Sequence, residues 1–363
     1  MPPSTTGSTA TGSTATGSTA TGSRAASSLA QTLFGVRFES PVLLAAGTCG
    51  FGEAVAEVVD LARIGGLVTK SITVEPRWGN PAPRVAEFPA GMVNSVGLAN
   101  PGVEAVRREK LPWIRDHLRE TRVFLSVAGH APDEYARVVG RLDDAEGFVG
   151  YELNLSCPND SRRGGLPFAL DPEALAGVVA DVRRITRRPL LVKLAPNTPD
   201  LAPVVRAAEE SGADGLTLVN TLPGLVLDPR TRRAALGAGA GGMSGPALRA
   251  VGVHATWRAS RLTSLPLVGV GGVATAEDAV QYFLAGASLV QIGTASFWDP
   301  RSAERVASQI EQFARHEGVG SMEAWVGMAE VGSSAPSSDP HPPACEPGAG
   351  EPGEARSPAS PSL

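Results

Sequence analysis

Cysteine is the scarcest chemistry in this chain: of 363 residues only Cys49, Cys157 and Cys345 carry a thiol, far apart and outside any CxxC or His/Cys spacing. That excludes a disulfide scaffold, a structural zinc site and an iron–sulfur cluster held by this chain alone, and no metal site is expected. Long apolar runs are missing too, since none approaches the ~18 to 20 residues that a membrane span needs. Nor is there an excess of positive charge. Lys and Arg number 32 against 37 Asp and Glu, a net charge of -5 with a pI near 5.7, which is the wrong sign for a surface that attracts phosphate backbones. Neither a nucleic-acid nor a membrane partner is expected. The two ends lack any apolar face. Residues 1–28 are a Thr/Gly/Ser-rich tract of TGSTA repeats and residues 332–363 are rich in Pro, Ser and Gly, so both read as disordered tails. The first tract also lacks the basic start and apolar h-region of a signal peptide, which makes the cytoplasm the expected location.

What remains, residues 29–331, contains no internal linker of similar composition and reads as one domain. With 42% hydrophobic and 19% charged residues, the chain can bury a large core. Eight short apolar runs, 41–47, 65–73, 123–129, 148–156, 189–196, 214–221, 266–273 and 288–295, alternate with helical patterns such as 53–62, 171–186 and 275–287. The last two open on Asp171 and Thr275, residues suited to helix capping. Continuous apolar strands followed by helices mean a parallel sheet covered on its outer face. Eight such units in about 300 residues predict an α/β fold, a TIM (β/α)8 barrel. A doubly wound open sheet is the alternative. The segment FGVRFES, 34–40, is expected to form a hairpin that closes the barrel floor.

In a barrel of this kind chemistry belongs at the C-terminal strand ends. Those ends carry Gly47 and Thr48, Lys70 and Ser71, Ser126, Asn154 with Cys157, Lys193, Asn220 with Thr221, Gly271 and Gly272, and Gly293 and Thr294. Charged residues inside apolar strands are costly without a ligand or partner, so the set points to one polar mouth. The glycine pairs, with Ser244-Gly245, offer backbone N–H groups suited to a phosphate, although tight turn packing is the simpler use of glycine. A GxGxxG match at Gly237, Gly239 and Gly242 follows no strand and is discounted as a dinucleotide fingerprint. Several carboxamides around one pocket match a planar ring edge of alternating N–H and C=O, such as a pyrimidine. In ELNLSCPND, 152–160, Cys157 is the titratable group: most free thiols are small buried hydrophobes, but one in a Pro-fixed turn between asparagines is placed to act as a base.

The motifs TKSITVEPRWGNPAPRVAEFPAGMVNSVGLANPG (69–102), NLSCPN (154–159), VKLAPN (192–197), VNTLPG (219–224), GGMSGPA (241–247), GVGGV (269–273) and IGTA (292–295) resemble, together and in this order, the dihydroorotate dehydrogenases. EPRxGNPxPR followed by NSVGLxNPG is most similar to class 1B, the catalytic subunit that works with a separate electron-transfer subunit. The resemblance implies FMN as cofactor and oxidation of (S)-dihydroorotate to orotate in de novo pyrimidine biosynthesis. It implies that Cys157 takes the C5 proton while hydride leaves C6 for the flavin. It implies FMN contacts from Ala46, Lys70, Ser71, Ser126, Asn154, Lys193, Val219, Gly245, Gly271, Gly272, Gly293 and Thr294. Substrate contacts are implied for Lys70, Asn94, Ser95, Val96, Gly97, Leu98, Asn154, Asn159, Asn220 and Thr221. A partner carrying FAD and an iron–sulfur cluster is implied as well, in a homodimer or heterotetramer. Two positions depart from the family pattern: Ala46 stands where Ser is common, and Ser126 where Asn is. Related FMN barrels acting on dihydrouracil or dihydrothymine, a dihydrouridine synthase and a barrel serving only as a scaffold remain alternatives.

Overall fold

Strands of three to six residues that are buried on both faces cannot lie at a sheet surface, and here they close on themselves. The structure is a computed structural model that describes residues 29–155 and 167–332. The chain divides into two units, Met1–Ala329 and Glu330–Leu363. Of the second unit only residues 330–332 are described, without helix or strand; all the described helices and strands belong to the first. In chain order its strands are β1 (Gln31–Leu33), β2 (Val36–Phe38), β3 (Val42–Leu44), β4 (Gly66–Val68), β5 (Val85–Phe88), β6 (Gly91–Asn94), β7 (Arg122–Val127) and β8 (Gly150–Asn154). They continue as β9 (Leu190–Leu194), β10 (Gly215–Leu218), β11 (Leu222–Gly224), β12 (Leu227–Asp228), β13 (Arg233–Ala234), β14 (Gly241–Ser244), β15 (Leu267–Val270) and β16 (Ala287–Ile292).

Eight of these form a closed parallel barrel in the order β3-β4-β7-β8-β9-β10-β15-β16, with β16 returning to β3. The pairing of Val290 with Val42 is what separates a TIM barrel from an open doubly wound sheet, and each of the eight apolar runs holds one barrel strand. Two outer helices start where their capping residues stand. Asp171 accepts hydrogen bonds from the N–H groups of Glu173 and Ala174 ahead of Pro172–Ile185, and Thr275 forms a capping box with Asp278 ahead of Ala276–Leu284. The expected helix at 53–62 is broken instead into Glu53–Ala56 and a single 3-10 turn, Leu61–Arg63. Asp60 opens the second piece: its side chain accepts from the Ala62 N–H and begins a new turn, a local bond that competes with one continuous helix.

The floor forms as its sequence suggests. β1 and β2 pair antiparallel around Phe34 and Gly35, both left-handed at φ 56° and 73°, as a two-residue hairpin turn requires. Phe38 stacks on Phe124 at 6.4 Å, Phe34 meets the same ring edge-on at 6.5 Å, and Leu43, Leu191 and Val268 complete this apolar plug. Because side chains alternate along a strand, stepping upward from the plug gives a polar layer containing Glu152, Thr217 and Gln291. Above it come Ala45, Ser126, Lys193 and Val270, and then Lys70, Asn154, Val219 and Gly293. The lumen therefore changes from apolar to polar on approaching the C-terminal mouth. Over that mouth lies an antiparallel sheet, β11-β14-β6-β5, built from the segments that follow β4 and β10.

Candidate functional site

The pocket lies between the strand ends and this roof. Its floor includes Lys70, Asn154, Lys193 and Val219, its roof Val85, Met92, Gly242 and Ser244, and one wall Asn94 with Val96 to Leu98. A chain of hydrogen bonds fixes the polar floor. Ser126 Oγ and Ser71 Oγ are 2.8 Å apart; Asn154 Nδ2 donates to Ser71 Oγ at 3.2 Å; Asn220 Nδ2 donates to Asn154 Oδ1 at 3.1 Å; and Asn220 Oδ1 accepts from the Thr221 N–H at 2.8 Å. Each carboxamide is thus held in one orientation, which is what recognition of a ring edge demands. Across the pocket Asn94 Nδ2 donates to the Gly242 carbonyl at 3.2 Å, tying the roof strands together.

At the other end, Gly245, Gly271 and Gly272 adopt φ of 106°, 127° and 72°. Among the described residues, the backbone N–H groups of Gly271, Gly272, Gly293 and Thr294 donate to no protein acceptor, and all four residues line the pocket. Main-chain donors left open side by side are an anion site in waiting, and they suit a phosphate. No carboxylate lines the pocket among the described residues, so nothing there opposes a negative ligand.

Sequence-expected positions fall into three groups. Ala46, Lys70, Ser71, Asn154, Lys193, Val219, Gly245, Gly271, Gly272, Gly293, Thr294, Asn94, Val96, Gly97, Leu98, Asn220 and Thr221 line the pocket. Ser126 and Ser95 stand behind its wall. Ser126 is fully buried and reaches the pocket only through Ser71, while Ser95 Oγ accepts from Asn80 Nδ2 at 2.8 Å and its N–H donates to the Arg84 carbonyl. Cys157 and Asn159 lie outside the described residues.

One residue escaped the sequence reading. Glu152 is fully buried; its Oε2 accepts from Thr217 Oγ1 at 2.9 Å and from Gln291 Nε2 at 2.8 Å. Its Oε1 stands 3.6 Å from Lys193 Nζ. The signal was available: Glu152 precedes Asn154 by two in ELN, so strand periodicity puts both on the lumen face, and a lone acid in an apolar strand needs a partner.

Cys49, by contrast, is not among the residues that line the pocket. Its S–H donates to the Val68 carbonyl at 3.3 Å, and burial pushes the thiol up to about 12, far from any role as a neutral-pH nucleophile. Cys49→Ser is expected to keep near-wild-type turnover, because a hydroxyl can donate to the same carbonyl. Iodoacetamide treatment of the folded protein at neutral pH, read by peptide mass mapping, should leave Cys49 unmodified.

Known proteins share both this fold and the segments that build the pocket. The family model described as dihydroorotate dehydrogenase matches residues 28–314, a span that holds every barrel strand and the whole roof. The chain belongs to the dihydroorotate dehydrogenase family. A relative from Solibacter usitatus (strain Ellin6076), provisionally named dihydroorotate dehydrogenase A (fumarate), is 48% identical over 291 residues, covering 80% of this chain and 95% of the relative. One from Desulforudis audaxviator (strain MP104C), named dihydroorotate dehydrogenase B (NAD(+)), catalytic subunit, is 46% identical over 300 residues, covering 83% and 97%. Among solved structures, the crystal structure of DHODH in complex with ferulenol from Eimeria tenella superposes with a TM-score of 0.71 at 23% identity, covering 83% of this chain and 88% of that one; this likeness concerns the fold. Among the described residues, no group of three or more His, Cys, Asp and Glu side chains could hold a metal ion. No helix among them is long and apolar enough to cross a membrane.

Proposed function

We propose that this chain oxidises (S)-dihydroorotate to orotate for pyrimidine biosynthesis, with FMN held across the barrel mouth and Cys157 as the base. The observation that carries this reading is the make-up of the pocket: two lysines and three oriented asparagines, no lining carboxylate among the described residues, and four open main-chain N–H groups at one end. These features fit FMN. The glycine-lined end would hold the phosphate, and Lys193, Asn154 and Ser71 would hold the ring. Held there, FMN would supply the acceptor for the hydride that leaves C6. The remaining work belongs to the protein. Lys70 and the segment Asn94 to Leu98 hold the anionic substrate, Asn154, Asn220 and Thr221 orient its ring, and Cys157 receives the C5 proton as its thiolate. Lys193 is almost wholly buried, so its fixed charge acts more strongly than it would in solvent. A separate subunit carrying FAD and an iron–sulfur cluster would take the electrons onward, the assembly being a homodimer or a heterotetramer in the cytoplasm.

The test is anaerobic mixing of the purified chain with dihydroorotate and, in parallel, dihydrouracil. Bleaching of bound flavin with one equivalent of orotate formed is the expected result. A colourless protein that takes up no FMN, or preference for dihydrouracil, would overturn the reading.

Lys193 supplies a second expectation. Lys193→Met removes the charge with little change in length, so the FMN potential should fall and flavin reduction by dihydroorotate should slow by about 10²-fold. Spectroelectrochemical titration checks the first and stopped-flow absorbance the second. An unchanged potential would make Lys193 a structural residue.

A further inference from the structure

The ion pair under the pocket floor has a part to play that the binding contacts alone do not describe. Lys193 is 5% exposed and Glu152 not at all, and their charged atoms are 3.6 Å apart. The carboxylate's two oxygens are used differently. Oε2 is fixed by Thr217 and Gln291, two donors from β10 and β16, whereas Oε1 has no hydrogen bond among the described residues and faces the ammonium. Glu152 is therefore oriented from three strands at once. With no carboxylate lining the pocket among the described residues, the charge that offsets Lys193 comes from the layer beneath. A cation stabilises negative charge developing above it to the degree that its own charge is not already neutralised.

The geometry points to Glu152 as a positioning residue that sets both the place and the effective charge of Lys193, and through it the reduction potential of the bound flavin. The proposal rests on the FMN reading above. It gives opposite signs to two neighbouring substitutions. Glu152→Gln keeps the shape and a hydrogen-bond acceptor for Thr217 but uncovers the Lys193 charge, so the potential rises, by about tenfold in the equilibrium constant for reduction. Lys193→Met lowers it. In the double variant there is no Lys193 charge for residue 152 to offset, and the potential follows that of Lys193→Met.

The experiment is a double-variant cycle read in two ways. On the FMN-loaded protein, the potentials of wild type, E152Q, K193M and the double variant are titrated. On the flavin-free protein, urea midpoints of the same four are measured. Each single variant leaves one buried charge without its partner and should lower the midpoint, while the double variant, a neutral pair of similar size, should recover most of the loss. An E152Q potential that is unchanged or lower, or a double variant with no recovery, overturns the proposal. If E152Q does not fold but the double variant does, the coupling is upheld; if both fail, Glu152 serves Thr217 and Gln291 alone and the proposal falls. Failure of wild type to bind FMN would sink the functional reading, and the urea cycle would still report on the pair.

Discussion

Cys157→Ala is expected to bind FMN and orotate normally and to lose turnover by about 10²- to 10⁴-fold, the usual contribution of a positioned base. Among the described lining residues of the pocket there is no carboxylate and no imidazole, so the groups that most often take protons are missing. The two lysines there serve better as fixed cations. Three residues beyond Asn154 the sequence supplies a thiol, whose ordinary pKa of about 8.5 lies within reach of neutral pH when a cation is near. Cys157→Ser should retain a small activity that climbs with pH, because a hydroxyl is a far weaker acid than a thiol and only its ionised form takes the proton. Steady-state rates from about pH 6 to 10, a range that brackets that thiol value, with orotate binding measured on each variant, check both statements. Near-wild-type turnover of the Ala variant at neutral pH would remove Cys157 from the mechanism.

How much of the molecule is legible in its sequence depends on the range of the interactions. The barrel strands can be read because burial on both faces forces unbroken apolar runs, a local signal. The floor hairpin is equally local, resting on Phe34-Gly35 between two short strands. The roof is not. Its strands are short and glycine-rich, and their partners are remote: Asn94 and Gly242 are 148 residues apart. The glycines serve close approach, since a Cβ on Gly242 would come within 2.0 Å of Thr221 Oγ1 and one on Gly91 within 2.0 Å of the Ser244 carbonyl. Such contacts leave no periodicity to detect. Individual site residues are visible as polar groups at strand ends, but Glu152 acquires meaning only when β8, β9, β10 and β16 bring it together with Lys193, Thr217 and Gln291.

Where the electrons go is open to an equally direct test: the isolated, FMN-loaded chain should reduce an artificial dye with dihydroorotate yet reduce little or no NAD. The names of its relatives do not decide the matter, because one at 48% identity carries fumarate in its name and one at 46% carries NAD(+) and the words catalytic subunit. The chain's own residues bear on it more directly. Three scattered cysteines cannot ligate an iron–sulfur cluster. The GxGxxG match among the described residues fails on structural grounds as well as by sequence: Gly239 turns back to bridge Leu236, and Gly241 and Gly242 enter β14 of the antiparallel roof. A dinucleotide fingerprint instead joins a parallel strand to a helix. A nicotinamide would then have to reach the flavin through the mouth by which orotate leaves, competing with product at every turnover. On the function proposed above electrons would leave by a second route, with a partner subunit, as the resemblance of the EPRxGNPxPR and NSVGLxNPG motifs to class 1B implies, as its carrier. Dye and NAD reduction are measured side by side, first with the chain alone and then after addition of a class 1B electron-transfer subunit that carries FAD and an iron–sulfur cluster. NAD reduction that appears only with the partner is the expected outcome. Robust NAD reduction by the chain alone would overturn it, and efficient turnover with fumarate would assign the chain to the mode named for its Solibacter relative in spite of its motifs.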